Sequence, residues 1–232
     1  MASFRLRHQV ERTKNKHSRA VVVNDTVIIR LARNLSQKEE ERHIDYLLKR
    51  MAVIVARERQ KTTVHPFRRL LEGHSDETIR LGDGREFPVH LQAAARTRIR
   101  TSERGWTVDV GPTLRTAPFH RLLWRTLSQE ELPRLEAIVH RINAETLRVP
   151  IREVRLRVAS SQWGSCSSRG VIMLNTALLF LPERLLRYVV VHELAHCLVQ
   201  GHNRRFWHIV EHACPDYRAL VAEMKQYRLL RF

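Results

Sequence analysis

Apolar and polar positions change their period several times along the chain, and each change marks an element. Two short apolar runs, Ala20-Val21-Val22-Val23 and Thr26-Val27-Ile28-Ile29, flank Asn24-Asp25. Asn and Asp tolerate the positive φ of a two-residue turn, so residues 20–31 are expected to form a β-hairpin. Ser36-Gln37-Lys38-Glu39 has the form of a capping box. The helix it opens carries Ile44, Leu47, Leu48, Met51 and Val55 at helical spacing. Gly82-Asp83-Gly84 marks a second turn, between Thr78-Ile79-Arg80-Leu81 and Phe87-Pro88-Val89. Residues 96–110 read as strand-rich, with a turn near Gly105-Trp106.

The second half is more helical. Residues 118–147 place Leu122, Leu123, Leu127, Leu135, Ile138, Val139 and Ile142 on one face, with a break expected near Ser128 or Pro133. Residues 151–159 alternate, Ile151, Val154, Leu156 and Val158 against Arg152, Arg155 and Arg157, as a half-buried strand does. Residues 170–175 form a second strand, and the intervening SSQWGSCSSR reads as a turn-rich loop. From 182 onward the pattern is helical. Pro182 suits a first turn, Gly201 a C-terminal cap, and Pro215 separates the last two helices. The fold class is α+β, with a long apolar helix beside a small antiparallel sheet. The expected division is a β-rich part with one helix at 1–110 and a second domain at 111–232.

Composition narrows the class. With 232 residues and 43% hydrophobic content the chain can bury a sizeable core. Eight Gly and three Cys exclude collagen and a disulfide scaffold. No apolar run approaches the roughly 20 residues that span a bilayer, so no membrane partner is expected. The opening MASFRLRHQVERTKNKHSR has charge but no apolar stretch, unlike a secretory signal. Scattered, odd-numbered cysteines fit free thiols and a cytoplasmic location. The formal net charge is +17, and 35 of the 41 basic residues are Arg. The excess is diffuse, with one dense patch at Arg5, Arg7, Arg12, Lys14, Lys16 and Arg19 against a single Glu11. It reads either as a footprint for nucleic acid or another polyanion, or as a preference for Arg on a solvated surface.

The chemistry concentrates in RYVVVHELAHCLVQGHNRRFW, residues 187–207. His192 and His196 stand at i and i+4, on one helix face one turn apart. Their imidazole nitrogens can converge on one ion near 2.0–2.1 Å. Glu193 then projects beside the metal, where it can polarise a water as catalytic base. Val189, Val190, Val191, Leu194 and Leu198 make the helix apolar, and an unpaired glutamate there would be costly. The alternative is a pair of core histidines satisfied by hydrogen bonds. A catalytic zinc takes three protein ligands and one open position. His202, just past Gly201, is expected to be the third, with Glu211 the main rival and His208 and His212 behind it. Trp163 is expected as a core anchor, and the Phe206-Trp207 pair as packing for the helix after the ligand. Cys197 should point away from the metal, and Cys166 and Cys214 lack a CxxC partner.

These pieces resemble the YgjP-like metallopeptidase family, a relative of the SprT-like group. The resemblance rests on Trp163-Gly164-Ser165-Cys166-Ser167, Gly170, Leu174-Asn175, Pro182, His192-Glu193-Leu194-Ala195-His196, His202-Asn203, Phe206-Trp207 and Pro215-Asp216-Tyr217. Gln162 stands where that family usually has a basic residue. The resemblance implies a zincin-like catalytic domain, with Zn2+ held by His192, His196 and His202 and with Glu193 as base. The function expected is hydrolysis of a polypeptide substrate. Two other readings stay open: a zinc hydrolase of non-peptide amides, and a basic nucleic-acid-associated protein with a structural metal.

Overall fold

A computed structural model describes residues 7–23, 26–73 and 75–230. The chain divides into two units, Met1–Lys61 and Thr62–Phe232.

In the first unit, β1 (His8–Arg12), β2 (Arg19–Val23) and β3 (Thr26–Leu31) form a sheet in the order β1-β3-β2. β2 and β3 pair antiparallel with Val22 opposite Val27, the register of the expected hairpin. The expected turn residues Asn24 and Asp25 lie outside the described residues. β3 alternates strictly, burying Val27, Ile29 and Leu31. Helix α1 (Gln37–Gln60) starts at the capping box, where the Ser36 backbone N–H donates to the Glu39 carboxylate at 2.8 Å. Its Leu47 and Met51 cover the buried face of β3.

The second unit opens with β4 (Thr62–Thr63) and α2 (Arg68–Gly73). A four-stranded sheet follows in the order β5-β6-β8-β7, made of β5 (Glu77–Arg80), β6 (Glu86–Ala93), β7 (Arg98–Ser102) and β8 (Gly105–Val110). Helix α3 (Thr116–Glu145) then leads to β9 (Glu153–Arg157), β10 (Gly164–Cys166) and β11 (Val171–Asn175). A 3-10 turn at Thr176–Phe180 joins these to α4 (Glu183–His196), α5 (Arg204–Ala213), α6 (Tyr217–Met224) and β12 (Tyr227–Arg228). β12 pairs parallel with β4; the Thr62 N–H donates to the Gln226 carbonyl at 2.8 Å and the Val64 N–H to the Arg228 carbonyl at 3.1 Å. No helix among the described residues is long and apolar enough to cross a membrane.

The architecture is α+β, as the patterning implied. The boundary differs: a division near residue 110 would cut through one continuous core. Val89, Trp106 and Val108 of the four-stranded sheet share that core with Phe119 and Trp124 of α3 and Leu185 and Val190 of α4. The turn between β5 and β6 is locked onto the same body. The Gly82 N–H donates to the Leu179 carbonyl at 2.7 Å, and a Cβ on Gly82 would fall 1.8 Å from the Leu181 oxygen. Arg85 makes a two-pronged contact with Glu131 of α3, at 2.9 and 2.5 Å.

Helix α3 also differs from expectation, running unbroken through Pro133. A proline in a helix interior costs about 3 kcal/mol. Leu127, Leu135, Val139 and Ile142, all buried, lie on either side of it. Full burial of each contributes about 1.5–3 kcal/mol, so packing outweighs the local penalty. The small sheet has β11 in the middle, antiparallel to β10 and parallel to β9. It is therefore antiparallel at the β10 edge, the strand that packs on α4.

Candidate metal centre

Helix α4 is buried on nearly every side: Leu185, Val189, Val190, Val191, Leu194 and Ala195 all lie in the core. It begins at Pro182, whose carbonyl accepts from the Leu185 N–H at 2.8 Å. It ends at His196, five residues before the expected cap. The Leu198 and Val199 N–H groups both return to the Ala195 carbonyl at 3.0 Å, tightening the last turn. The Gln200 side-chain amide donates to the otherwise orphaned His196 carbonyl at 2.9 Å. A side chain thus does the capping, and Gly201 is free of that role.

The early stop swings the chain round so that His202 meets the helix pair. One ligand-type nitrogen from each of His192, His196 and His202 lies within 4.8 Å of the others. The Nε2 atoms of His192 and His202 stand 3.0 Å apart. His196 Nδ1 donates to the Val199 carbonyl at 3.1 Å, which leaves its Nε2 lone pair free. Asn203 caps α5 by accepting from the Phe206 N–H at 3.1 Å. That helix inserts Phe206, fully buried, with its ring 4.9, 4.5 and 4.8 Å from the rings of His192, His196 and His202. Trp207 lies stacked on His202 and on Tyr217. The Phe206-Trp207 pair therefore packs α5 against α4, as expected. Of the rival ligands, His208, Glu211 and His212 are exposed on the opposite face of α5, and the Glu211 carboxylate lies 3.2 Å from Arg218.

Electrostatics match the geometry. Burial, then the neighbouring His196 and His202, pushes the His192 pKa down to about 4. Burial likewise lowers His196. Near neutral pH these two imidazoles are uncharged and present lone pairs. Glu193, only 5% exposed, is pushed up to about 8, by burial first and by Cys197 second. A carboxyl in so dry a place lacks a counter-charge. A divalent cation among the imidazoles would supply it, and three imidazole donors suit zinc.

The segment read as a loop holds a second half of the site. Gly164 of β10 lies flush on Glu193: a Cβ there would fall 2.7 Å from its Oε1. The fully buried Asn175 ties this strand down. Its amide donates to the carbonyls of Ala159 and Gln162 at 2.8 and 2.9 Å, and its oxygen accepts from the Ala177 N–H at 3.1 Å. Trp163 is half-buried against the core. Cys166, two residues beyond Gly164, meets Cys197, four residues beyond Glu193, with 3.3 Å between the sulfurs. Period 2 on the strand and period 4 on the helix bring both pairs to one face. That match is readable in the sequence only once residues 164–166 are taken as a strand.

Comparison with known proteins comes from three directions. The model of a family described as YgjP-like, metallopeptidase domain, matches residues 16–227. A UTP pyrophosphatase of Escherichia coli (strain K12) is 36% identical over 63 residues, 27% of this chain. The chain spans 38% of that relative's length. The crystal structure of the metallopeptidase zymogen of Pyrococcus abyssi abylysin is 24% identical, with a TM-score of 0.34 over 41% of this chain and 99% of its own. That likeness is too slight to bear on the fold.

Proposed function

The chain belongs to the YgjP-like metallopeptidase-domain family, and on that premise we propose that it is a zinc metallopeptidase. Family membership makes it a metal-dependent hydrolase; zinc and peptide substrates are the further step. One observation carries the reading: three imidazoles converge on the face of a buried helix beside a carboxylate held out of water. His192, His196 and His202 would hold the ion. When bound, zinc supplies Lewis acidity and brings the pKa of a water at its open position down to about 7. Glu193 would accept the proton of the attacking water on a carboxylate oxygen and return it to the leaving nitrogen. Gly164 gives the carboxylate its place beside β10, since a Cβ there would collide with it.

An extended peptide fits this frame by adding a strand to the sheet edge. β11 is the central strand, so β10 offers that edge, and its residues already touch the base.

A second reading has one observation in its favour, the relative named for hydrolysis of UTP. The same base and ion could direct water at a phosphoryl group, and a net charge of +17 suits an anionic substrate. Contact with nucleic acid through the basic surface is a separate proposal. One cation of the N-terminal patch is paired, Arg12 lying 2.7 Å from Glu40, while the patch's own Glu11 turns to Arg30 at 2.9 Å. Arg5 lies outside the described residues.

The deciding experiment offers the zinc-loaded protein an unfolded polypeptide and, separately, UTP, with Glu193→Gln beside the parent. Peptide cleavage that needs zinc and drops about a thousandfold in Glu193→Gln, with the metal retained, is the expected result. Hydrolysis of UTP without cleavage of any peptide would replace this reading by the second.

A further inference from the structure

We propose that Cys166 and Cys197 form an oxidation site, closing to a disulfide that weakens metal binding at the adjacent histidines. The two sulfurs stand 3.3 Å apart, joining the edge strand β10 to the residue after His196. Both thiols are free and half-buried, within reach of a small oxidant. A disulfide bond is about 2.05 Å long, so closure needs an approach of roughly 1 Å.

Both backbones that carry the sulfurs are packed against the candidate site. On the strand side, Gly164 already lies against the Glu193 carboxyl with no space for even a methyl group. On the helix side, Cys197 is covalently next to His196, whose ring is oriented by its bond to the Val199 carbonyl. Whatever part of the approach either backbone takes up therefore displaces Glu193 or a histidine of the cluster. Disturbing the groups that orient a metal ligand typically costs 10–100-fold in affinity.

The oxidant is a hydroperoxide, with hydrogen peroxide the simplest. One cysteine sulfur attacks the O–O bond; a sulfenic acid forms and hydroxide leaves, taking up that thiol's proton as water. The second thiol attacks the sulfenic sulfur. The S–S bond forms, the S–O bond breaks, and a second water departs with the remaining proton. Two thiols lose two electrons in all, and one peroxide gains them. A dithiol reverses the change by exchange.

Cys214 serves as an internal control, being buried with its sulfur 3.4 Å from Asp216 Oδ1. The oxidation site stands on geometry alone; its effect on the metal rests on the ligand set proposed above. The test treats the whole zinc-free protein with hydrogen peroxide, then alkylates it unfolded for mass analysis. Zinc affinity is measured in parallel by competition with a coloured chelator. The expected result is a Cys166–Cys197 cross-link, alkylation of Cys214 alone, and zinc affinity reduced about tenfold, restored by dithiothreitol. Cys166→Ser and Cys197→Ser should each abolish the cross-link and the peroxide effect on zinc. Three alkylated thiols after peroxide, or a link through Cys214, would overturn the site. A Cys166–Cys197 bond with unchanged zinc affinity would overturn the coupling. Neither readout uses turnover, so a protein that cleaves no peptide refutes the peptidase reading and leaves this one standing.

Discussion

Residues 26–51 and residues 164–206 both lay a helix over strands, yet only the second region buries polar and ionisable side chains. In the first, Val27, Ile29 and Leu31 of β3 meet Leu47 and Met51 of α1, and none of its described polar side chains is fully buried. In the second, Glu193, Asn175 and Thr176 are buried among apolar neighbours. Each buried polar group there has a stated compensation: Asn175 has three hydrogen bonds, Thr176 has Ser128 at 2.7 Å, and Glu193 would have the cation proposed for the adjacent imidazoles. A carboxylate can be held dry only where surrounding residues exclude water and still hold it in place. Five buried side chains do not make such a place; the large core of the second unit does.

The strongest way to break this contrast is to remove the compensation. His202→Ala should lower zinc affinity about a thousandfold and abolish hydrolysis, while Glu211→Ala leaves both within a factor of two or so. Equilibrium competition with a chelator measures this. If Glu211→Ala emptied the site and His202→Ala left it full, the ligand set would be wrong.

A smaller effect sharpens the contrast from the other side. Ile29→Ala should cost the first unit about 3 kcal/mol, because that small core has little else to close the gap. Zinc affinity should be unchanged. Loss of zinc binding in step with that unfolding would show that the two regions do not act independently.

The smallest effect concerns a buried base away from the metal. Burial, and then His65, pushes the His120 pKa down to about 4, and its Nε2 accepts from the Trp124 indole N–H at 2.9 Å. An unfolded histidine titrates near 6.5, so below that pH protonation favours the unfolded chain. The stability due to neutral His120 is whole above about pH 6.5 and is lost as pH falls toward 4. At pH 5 this amounts to about 2 kcal/mol. His120→Gln should flatten the fall in urea midpoint between pH 7.5 and 5; an unchanged slope would count against it.

The sequence showed most plainly what depends on local period. The helix pair His192 and His196, the capping box at Ser36 and the alternation of β9 follow from spacing alone. That His202 lies beside them was reachable from the expectation that a catalytic zinc takes a third protein ligand. What depends on distant packing stayed hidden. β10 has three residues and no apolar alternation, so nothing local separates it from a turn; α4 and β11 make it a strand. Pro133 signals a break that tertiary burial overrides. Gly201 has the composition of a cap, but Gln200 reaches the carbonyl first. The boundary near residue 110 followed a change from strands to helices, and composition carries no sign that the two share one core. The nearness of Cys166 to Cys197 needed both the strand and the early end of α4.

The pairing of β4 with β12 bears on how the molecule is made. Thr63 and Arg228, bonded to each other, stand 165 residues apart. Closing a loop of that length costs about 4–5 kcal/mol of chain entropy, so the pair cannot nucleate folding and must form late. At translation rates of about 5–20 residues per second, β4 is exposed for roughly ten to thirty seconds before its partner is synthesised. During that interval its backbone has only water to bond, and a neighbouring nascent chain could take the place that β12 will fill.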